Sequence, residues 1–275
     1  MAKLTYTNTA GQKLEFGESA PFLVTKIDGL GSPASEIHRQ KSPGQDGATV
    51  VGSALEERNL VLEGVILSRD REKDRRRLAR IFNPKQGGRL RFERGPTIKE
   101  ISCEVERVDF PSAMQDNYQV FLISLICPNP FWLDDHTLSE EIVTWIGGMK
   151  FPLRLPTAFA TKGPPVINII NQGDVETPVR IKFMGPATNP KIIKRDTGEY
   201  IQVNRELVYG DTLVITTDFG AKRVEINGQN VFNWIDLGSS FWQLDVGDNV
   251  IEYSSDDLVE PAAVSISYRN RYVGV

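Results

Sequence analysis

Tyr118-Gln119-Val120-Phe121-Leu122-Ile123-Ser124-Leu125-Ile126-Cys127, continuing into Pro128-Asn129-Pro130-Phe131-Trp132, is the stretch from which the rest of the chain is read. Val120, Leu122 and Ile126 alternate with Phe121, Ile123 and Leu125. A strand here is apolar on both faces, as expected of a central strand covered on both sides. Pro128 and Pro130 then break regular pairing and fix an extended passage. The spacing predicts a boundary there, with one domain over residues 1–133 and a second over 134–275.

Upstream, strand patterns dominate. In Ile101-Ser102-Cys103-Glu104-Val105-Glu106 every second residue is apolar, which buries Ile101, Cys103 and Val105 on one face. The run Arg58 to Leu67 carries Leu60, Leu62 and Ile66 on one side and Val61, Val65 and Leu67 on the other. Helical periodicity is clear once, from Arg69 to Phe82, with Ser68 as the expected N-cap and Asn83-Pro84 as the stop. Its apolar stripe is Leu78, Ile81 and Phe82. The Arg-rich remainder suggests nucleic acid, but Asp70, Glu72 and Asp74 are interleaved, so a solvated face laced with ion pairs is the reading taken.

Downstream of the prolines, Asp196-Thr197-Gly198 and Asn227-Gly228 are hairpin turns between apolar runs, the second suited to type I′. Phe241 to Tyr253 is expected to add a further hairpin. Near the end, Val264, Ile266 and Tyr268 point inward against Ser265, Ser267 and Arg269. The fold class expected is all-β with one helix, the second domain a β-sandwich.

Composition sets limits on function. In 275 residues the net charge is -4, made of about +2 over residues 1–133 and -6 over 134–275. That balance disfavours a protein that holds nucleic acid by neutralising phosphates. No apolar run approaches the roughly 20 residues of a membrane span, and Met1 to Tyr6 lacks a signal-peptide core, so a cytosolic origin and no membrane are expected. Cys103 and Cys127 are too few for a disulfide framework or a zinc site and are read as core. His38 and His136 lie far apart and outside any zinc or catalytic motif. Glu56-Glu57, Glu140-Glu141 and Asp256-Asp257 are sequence neighbours that point to opposite faces of a strand, poor partners for acid and base. No enzyme activity, cofactor or metal is expected.

Taken in order, Pro43-Gly44-Gln45-Asp46-Gly47, the strand Arg58 to Leu67, the charged helix 69–82, the passage Cys127 to Trp132 and the terminal Leu244-Asp245-Val246-Gly247-Asp248-Asn249-Val250-Ile251 make the chain resemble the siphovirus distal tail protein family. The resemblance covers nearly the whole chain. It implies an N-terminal β-rich domain, six copies of which close a ring around an open channel, and a peripheral C-terminal galectin-like sandwich. It implies a place at the tip of a virion tail, after synthesis in the bacterial host cytoplasm. The partners implied are the tail tube, the tape-measure protein and receptor-binding components, with DNA passing through unbound.

Two sets of residues are singled out. The loop with Pro43, Gly44, Asp46 and Gly47 is either an ordinary turn or a subunit contact, since in the family the equivalent loop lies in the ring-forming domain. Trp234 is the candidate for contact with a sugar or a partner, whereas Trp242 alternates in register with Leu244 and Val246 and is read as core. The competing function is a carbohydrate-binding adhesion module, and a wall hydrolase comes third for want of a convergent acid and nucleophile.

Overall fold

The computed structural model describes residues 2–17, 21–111, 118–143, 145–147, 160–162, 165–256 and 263–275. The chain divides into two compact units, Met1–Asp135 with Tyr272–Val275, and His136–Arg271. The last four residues therefore return to the first unit.

In the first unit the elements are β1 (Ala2–Asn8), β2 (Lys13–Phe16), β3 (Phe22–Asp28), β4 (Ser35–Gln40), β5 (Thr49–Leu55), β6 (Arg58–Ile66), α1 (Arg71–Ile81), β7 (Gly88–Arg94), β8 (Thr97–Asp109), β9 (Gln119–Cys127) and β10 (Trp132–Asp134). The main sheet runs β2-β1-β7-β8-β9-β6-β3. A parallel bridge from Gly17 to Leu23 brings its two ends together, so the sheet rolls around its own core and leaves few open edges. The long strand β8 makes the bend. Its first half pairs with β7 and its second with β9, and the register shifts between Val105 and Arg107, where a bulge turns the strand.

The periodicities read from sequence hold inside this roll. Ile101, Cys103 and Val105 are buried, as are Leu60, Leu62 and Ile66. On β9, Phe121, Ile123, Leu125 and Cys127 are buried while Val120, Leu122 and Ile126 are only half-buried. The expectation of cover on both sides is therefore corrected: β9 has one face inside the roll and the other on its outside.

α1 packs its C-terminal half onto the core through buried Leu78, Ile81 and Phe82, and the Phe82 ring stacks on Tyr6 with centroids 4.0 Å apart. Burial of such side chains contributes about 1.5–3 kcal/mol each. The N-cap is Asp70, whose carboxylate accepts from the Lys73 N–H at 3.2 Å. Ser68 does not cap. The helix begins at Arg71, so Ser68 sits two residues too early to reach the free N–H groups, and its hydroxyl is buried without a partner. Three of its arginines have partners: Arg76 pairs with Glu72 at 3.1 Å, and Arg75 and Arg77 lie over the rings of Phe110 and Phe22.

The second unit is a β-sandwich. One sheet orders Leu138–Val143, Ala263–Tyr268, Val179–Met184, Thr212–Thr216, Arg223–Ile226 and Gln229–Asn230; the other orders Val166–Asn171, Gly247–Ser254, Lys191–Lys194 and Tyr200–Gln202. Val179, Ile181 and Phe183 meet Ile192, Ile201, Ile251 and Tyr253 in its core. Val264, Ile266 and Tyr268 point inward as read, and Asn227 and Gly228 both take positive φ, as a type I′ turn requires. One expectation fails: Phe241 to Val246 is not a hairpin strand. Leu244 makes a single bridge to Thr177. The chain then turns about Asn249, whose side chain accepts from the Asp245 N–H at 2.8 Å and donates to the carbonyls of Asp245 and Gly247 at 2.8 and 2.9 Å. One amide side chain thus does the work of a ladder. Trp242 and Leu244 are core, but Val246 is 56% exposed.

Candidate assembly surfaces

β4 and β5 form a two-stranded sheet of their own, pairing Ser35 with Leu55 through Gln40 with Thr49, with a register shift at His38/Arg39. The Glu56 N–H donates to the Ala34 carbonyl at 2.9 Å and closes the base. All of β4 is exposed, and on β5 only Gly52 is partly covered. The apolar side chains share that exposure: Ile37 is 52%, Val50 62%, Val51 67% and Leu55 42% exposed. An isolated two-stranded ribbon is marginal in water, and β-branched residues on it gain only when another surface covers them. The geometry is that of an arm.

Pro43, Gly44, Asp46 and Gly47 lie at the tip of this arm. The Gln45 N–H donates to the Ser42 carbonyl at 3.1 Å, and Gly44 has φ of 79°, which makes Ser42 to Gln45 a type II turn with proline at its second position. Gln45 braces the tip, accepting from the Ser42 N–H at 3.1 Å and donating to Thr49 Oγ1 at 3.3 Å. Nothing within 4 Å would meet a Cβ on Gly44 or Gly47, so both are set by backbone conformation and not by crowding. The loop is an ordinary turn in its backbone, carried at the end of an exposed two-stranded ribbon.

A second apolar surface is the outside of the roll. Val61 and Val65 on β6 lie beside Val120, Leu122 and Ile126 on β9, all half-buried, in the register Val65 with Val120 and Glu63 with Leu122. Lys26, Asp28, Arg107 and Asp109 edge it, in ion pairs of Lys26 with Asp28 and Arg107 with Asp109.

Trp234 ends a single 3-10 turn, Phe232–Trp234, and is partly buried. The Arg205 guanidinium lies 3.4 Å from its ring centroid, so one ring face already carries a cation. Phe232 and Phe241 stack nearby with centroids 5.6 Å apart. A sugar would have to use the other face of Trp234, which weakens it as a platform.

Among the described residues no cluster of three or more His, Cys, Asp and Glu is placed to hold a metal. His38 sits on the arm 3.9 Å from Glu36, and His136 opens the second unit. Of the neighbouring carboxylates, Asp257 lies outside the described residues.

Two family models match: a phage tail protein RIFT-related domain over residues 9–127, and the C-terminal domain of the siphovirus-type tail component over residues 172–272. Among solved structures, the Dit protein (gp 19.1) of SPP1, described as a paradigm of the hub adsorption apparatus in phages infecting Gram-positive bacteria, matches with a TM-score of 0.72 at 15% identity over 98% of each chain. The phage P2 baseplate in its activated conformation with Ca matches at a TM-score of 0.56 and 10% identity over 100% of both chains. The same baseplate with Sr matches at 0.54 and 11%, over 97% of this chain and 98% of that one. At these identities the likeness is one of fold. No curated protein sequence matches.

Proposed function

We propose that the chain, matched by siphovirus tail models over residues 9–127 and 172–272, is a distal tail protein of which six copies close a ring at the tip of a bacteriophage tail. As a distal tail protein it is a component of the virion tail. In this reading the ring joins the tail tube to the host-adsorption apparatus and leaves a channel for the tape-measure protein and then DNA. The protein is made and assembled in the host cytoplasm and performs no turnover.

The observation that carries the reading is the arm of β4 and β5, which exposes Ile37, Val50, Val51 and Leu55 outside the core of its own unit. Head-to-tail contacts between identical copies form a ring when the rotation closes. The arm of one copy and the half-buried outer face of Val61, Val65, Val120, Leu122 and Ile126 are two different surfaces, as a head-to-tail contact needs. A near-balanced charge fits transit of DNA better than retention. The adhesion-module alternative gains nothing from the capped ring of Trp234.

Native mass spectrometry of the full chain tests this, with concentration raised from micromolar to high micromolar and with the neighbouring tail component added. A six-fold closed species, seen as rings in negative stain, is the expected result. A monomer throughout, with cell-wall sugar bound to the second unit, would replace the ring with the adhesion module.

A further inference from the structure

One row of positions crosses four strands of the roll. Arg58 on β6 faces Cys127 on β9, and Gly88 on β7 faces Cys103 on β8. Between β8 and β9, Glu104 faces Ile126 and Val105 faces Leu125. One step further along the same register sets Cys103 opposite Cys127. Both are buried thiols. Directly opposed residues on antiparallel strands have Cβ atoms about 4.5–5.5 Å apart, and a disulfide needs about 3.5–4.5 Å. A shift of about 1 Å joins them.

We infer that Cys103 and Cys127 are a modification site, a dithiol that peroxide converts to a disulfide across β8 and β9. One sulfur attacks a peroxide oxygen; an S–O bond forms, the O–O bond breaks and water leaves with the thiol proton. The second sulfur then attacks the sulfenic sulfur; the S–S bond forms, the S–O bond breaks and a second water leaves. Two thiols are oxidised and one peroxide is reduced to two waters.

Arg58, opposite Cys127 in the register, donates to the backbone carbonyls of Gly29, Gly31, Pro130 and Val273 and so fixes the strand ends beside that thiol. Burial opposes the reaction. The hydrogen bond with Cys127, together with burial, holds the Cys103 thiol protonated. Oxidation therefore waits on local opening of the sheet and runs over hours. In the reducing cytosol the pair stays as thiols, and outside the cell it closes. That timing rests on the proposed tail role, whereas the chemistry does not.

The test is purified full-length protein held in hydrogen peroxide for hours, then denatured, alkylated and weighed. Loss of about two mass units, with one peptide joining Cys103 to Cys127, is the expected outcome. The closed loop should raise the melting temperature of the first unit by roughly 5 °C or more. Cys103→Ser and Cys127→Ser should each lose the mass change and the shift. The proposal fails if both cysteines of the wild-type protein alkylate fully after every exposure, or if peroxide yields only sulfinic or sulfonic acids or disulfides between chains. The wild-type masses decide the matter even where a variant folds poorly. A ring that assembles without the disulfide leaves the tail reading standing, so the two ideas fail separately.

Discussion

Arg58 and Val273, 215 residues apart in sequence, share a hydrogen bond of 2.7 Å from the guanidinium Nη2 to the backbone carbonyl. The same side chain donates to the carbonyls of Pro130 at 2.7 Å, Gly29 at 2.6 Å and Gly31. One buried cation thus ties a loop, the proline passage and the returning tail. The tail adds its own anchors: the Val275 N–H donates to the Leu30 carbonyl at 3.1 Å, and the Tyr272 ring lies 3.4 Å from Lys99 Nζ, itself 2.6 Å from Asp134.

Replacing Arg58 strips partners from buried carbonyls, so Arg58→Ala should cost the first unit roughly 3 kcal/mol or more. Arg58→Lys keeps the charge but loses the planar fork, and about 2 kcal/mol is expected. Urea unfolding, followed by hydrogen exchange of first-unit peptides, measures both. Removing residues 273–275 should destabilise wild type more than the Arg58→Ala variant, because the two changes share one interaction. Strict additivity would show that the tail docks independently of Arg58.

Asp70→Ala should cost about 1 kcal/mol, the usual worth of an N-cap, whereas Ser68→Ala should be neutral or slightly stabilising. The Ser68 hydroxyl is buried without a partner, and removing it relieves a desolvated group. Thermal melts of the two variants decide which residue caps α1. A larger loss at Ser68 would return the cap to the position the charge pattern suggests.

The second unit should lose stability in acid through two half-buried carboxylates. Asp211 accepts from the Asn227 amide at 2.7 Å and the Val208 N–H at 3.0 Å; Asp236 accepts from the Tyr200 hydroxyl at 2.8 Å and the Gly238 N–H at 3.0 Å. These bonds, from Asn227 first in one case and Tyr200 first in the other, hold both below the usual carboxylate range. A carboxyl with a depressed folded pKa binds more protons unfolded than folded. Its contribution is therefore complete above the ordinary aspartate pKa, about 3.9, and is lost as pH falls below it. Calorimetry from pH 5 to pH 2.5 should show this slope, and it should flatten in Asp211→Asn with Asp236→Asn. An unchanged slope in the double variant would place the acid sensitivity elsewhere.

Much of this fold is legible because strand periodicity reports burial directly. Ile101, Cys103 and Val105 alternate in sequence and are buried in the structure. The outer half-exposure of Val120, Leu122 and Ile126 is not legible, since a run apolar on both faces reads the same whether its second cover comes from its own chain or from another. Long-range partners leave no local mark either. Arg58 looks like any charged residue at a strand start, and nothing near Tyr272 signals a return to the first unit. At Phe241 to Val246 the apolar alternation resembled a strand, but Asn249 supplies the backbone's hydrogen bonds through its side chain, which periodicity does not show. The Pro43 to Gly47 turn is readable from its glycines, whereas the arm behind it is not. Ile37, Val50 and Val51 have ordinary strand composition, and only the three-dimensional pairing reveals that they are uncovered.

That exposure gives the sharpest test of assembly. Val50→Asp with Val51→Asp changes side chains that lie outside the core, so the melting temperature of the isolated chain should stay within about 2 °C, as for surface substitutions worth under 0.5 kcal/mol. The ring should suffer far more. Two valines covered at an interface contribute about 1.5 kcal/mol each by area, and their replacement by carboxylates adds desolvation cost, so subunit affinity should fall at least 100-fold. Leu122→Asp, on the outer face of β9, should weaken assembly in the same way if that face receives the arm. Val246→Asp is the control: Val246 is 56% exposed in the second unit, and its replacement should leave the ring intact. Sedimentation and native mass spectrometry over the same concentration range read all three. Rings that survive the arm variant but break with Val246→Asp would move assembly to the sandwich. Loss of assembly in the arm variant with an unchanged melt would make β4 and β5 a binding element and not a folding one, because their covered state would then exist only between copies.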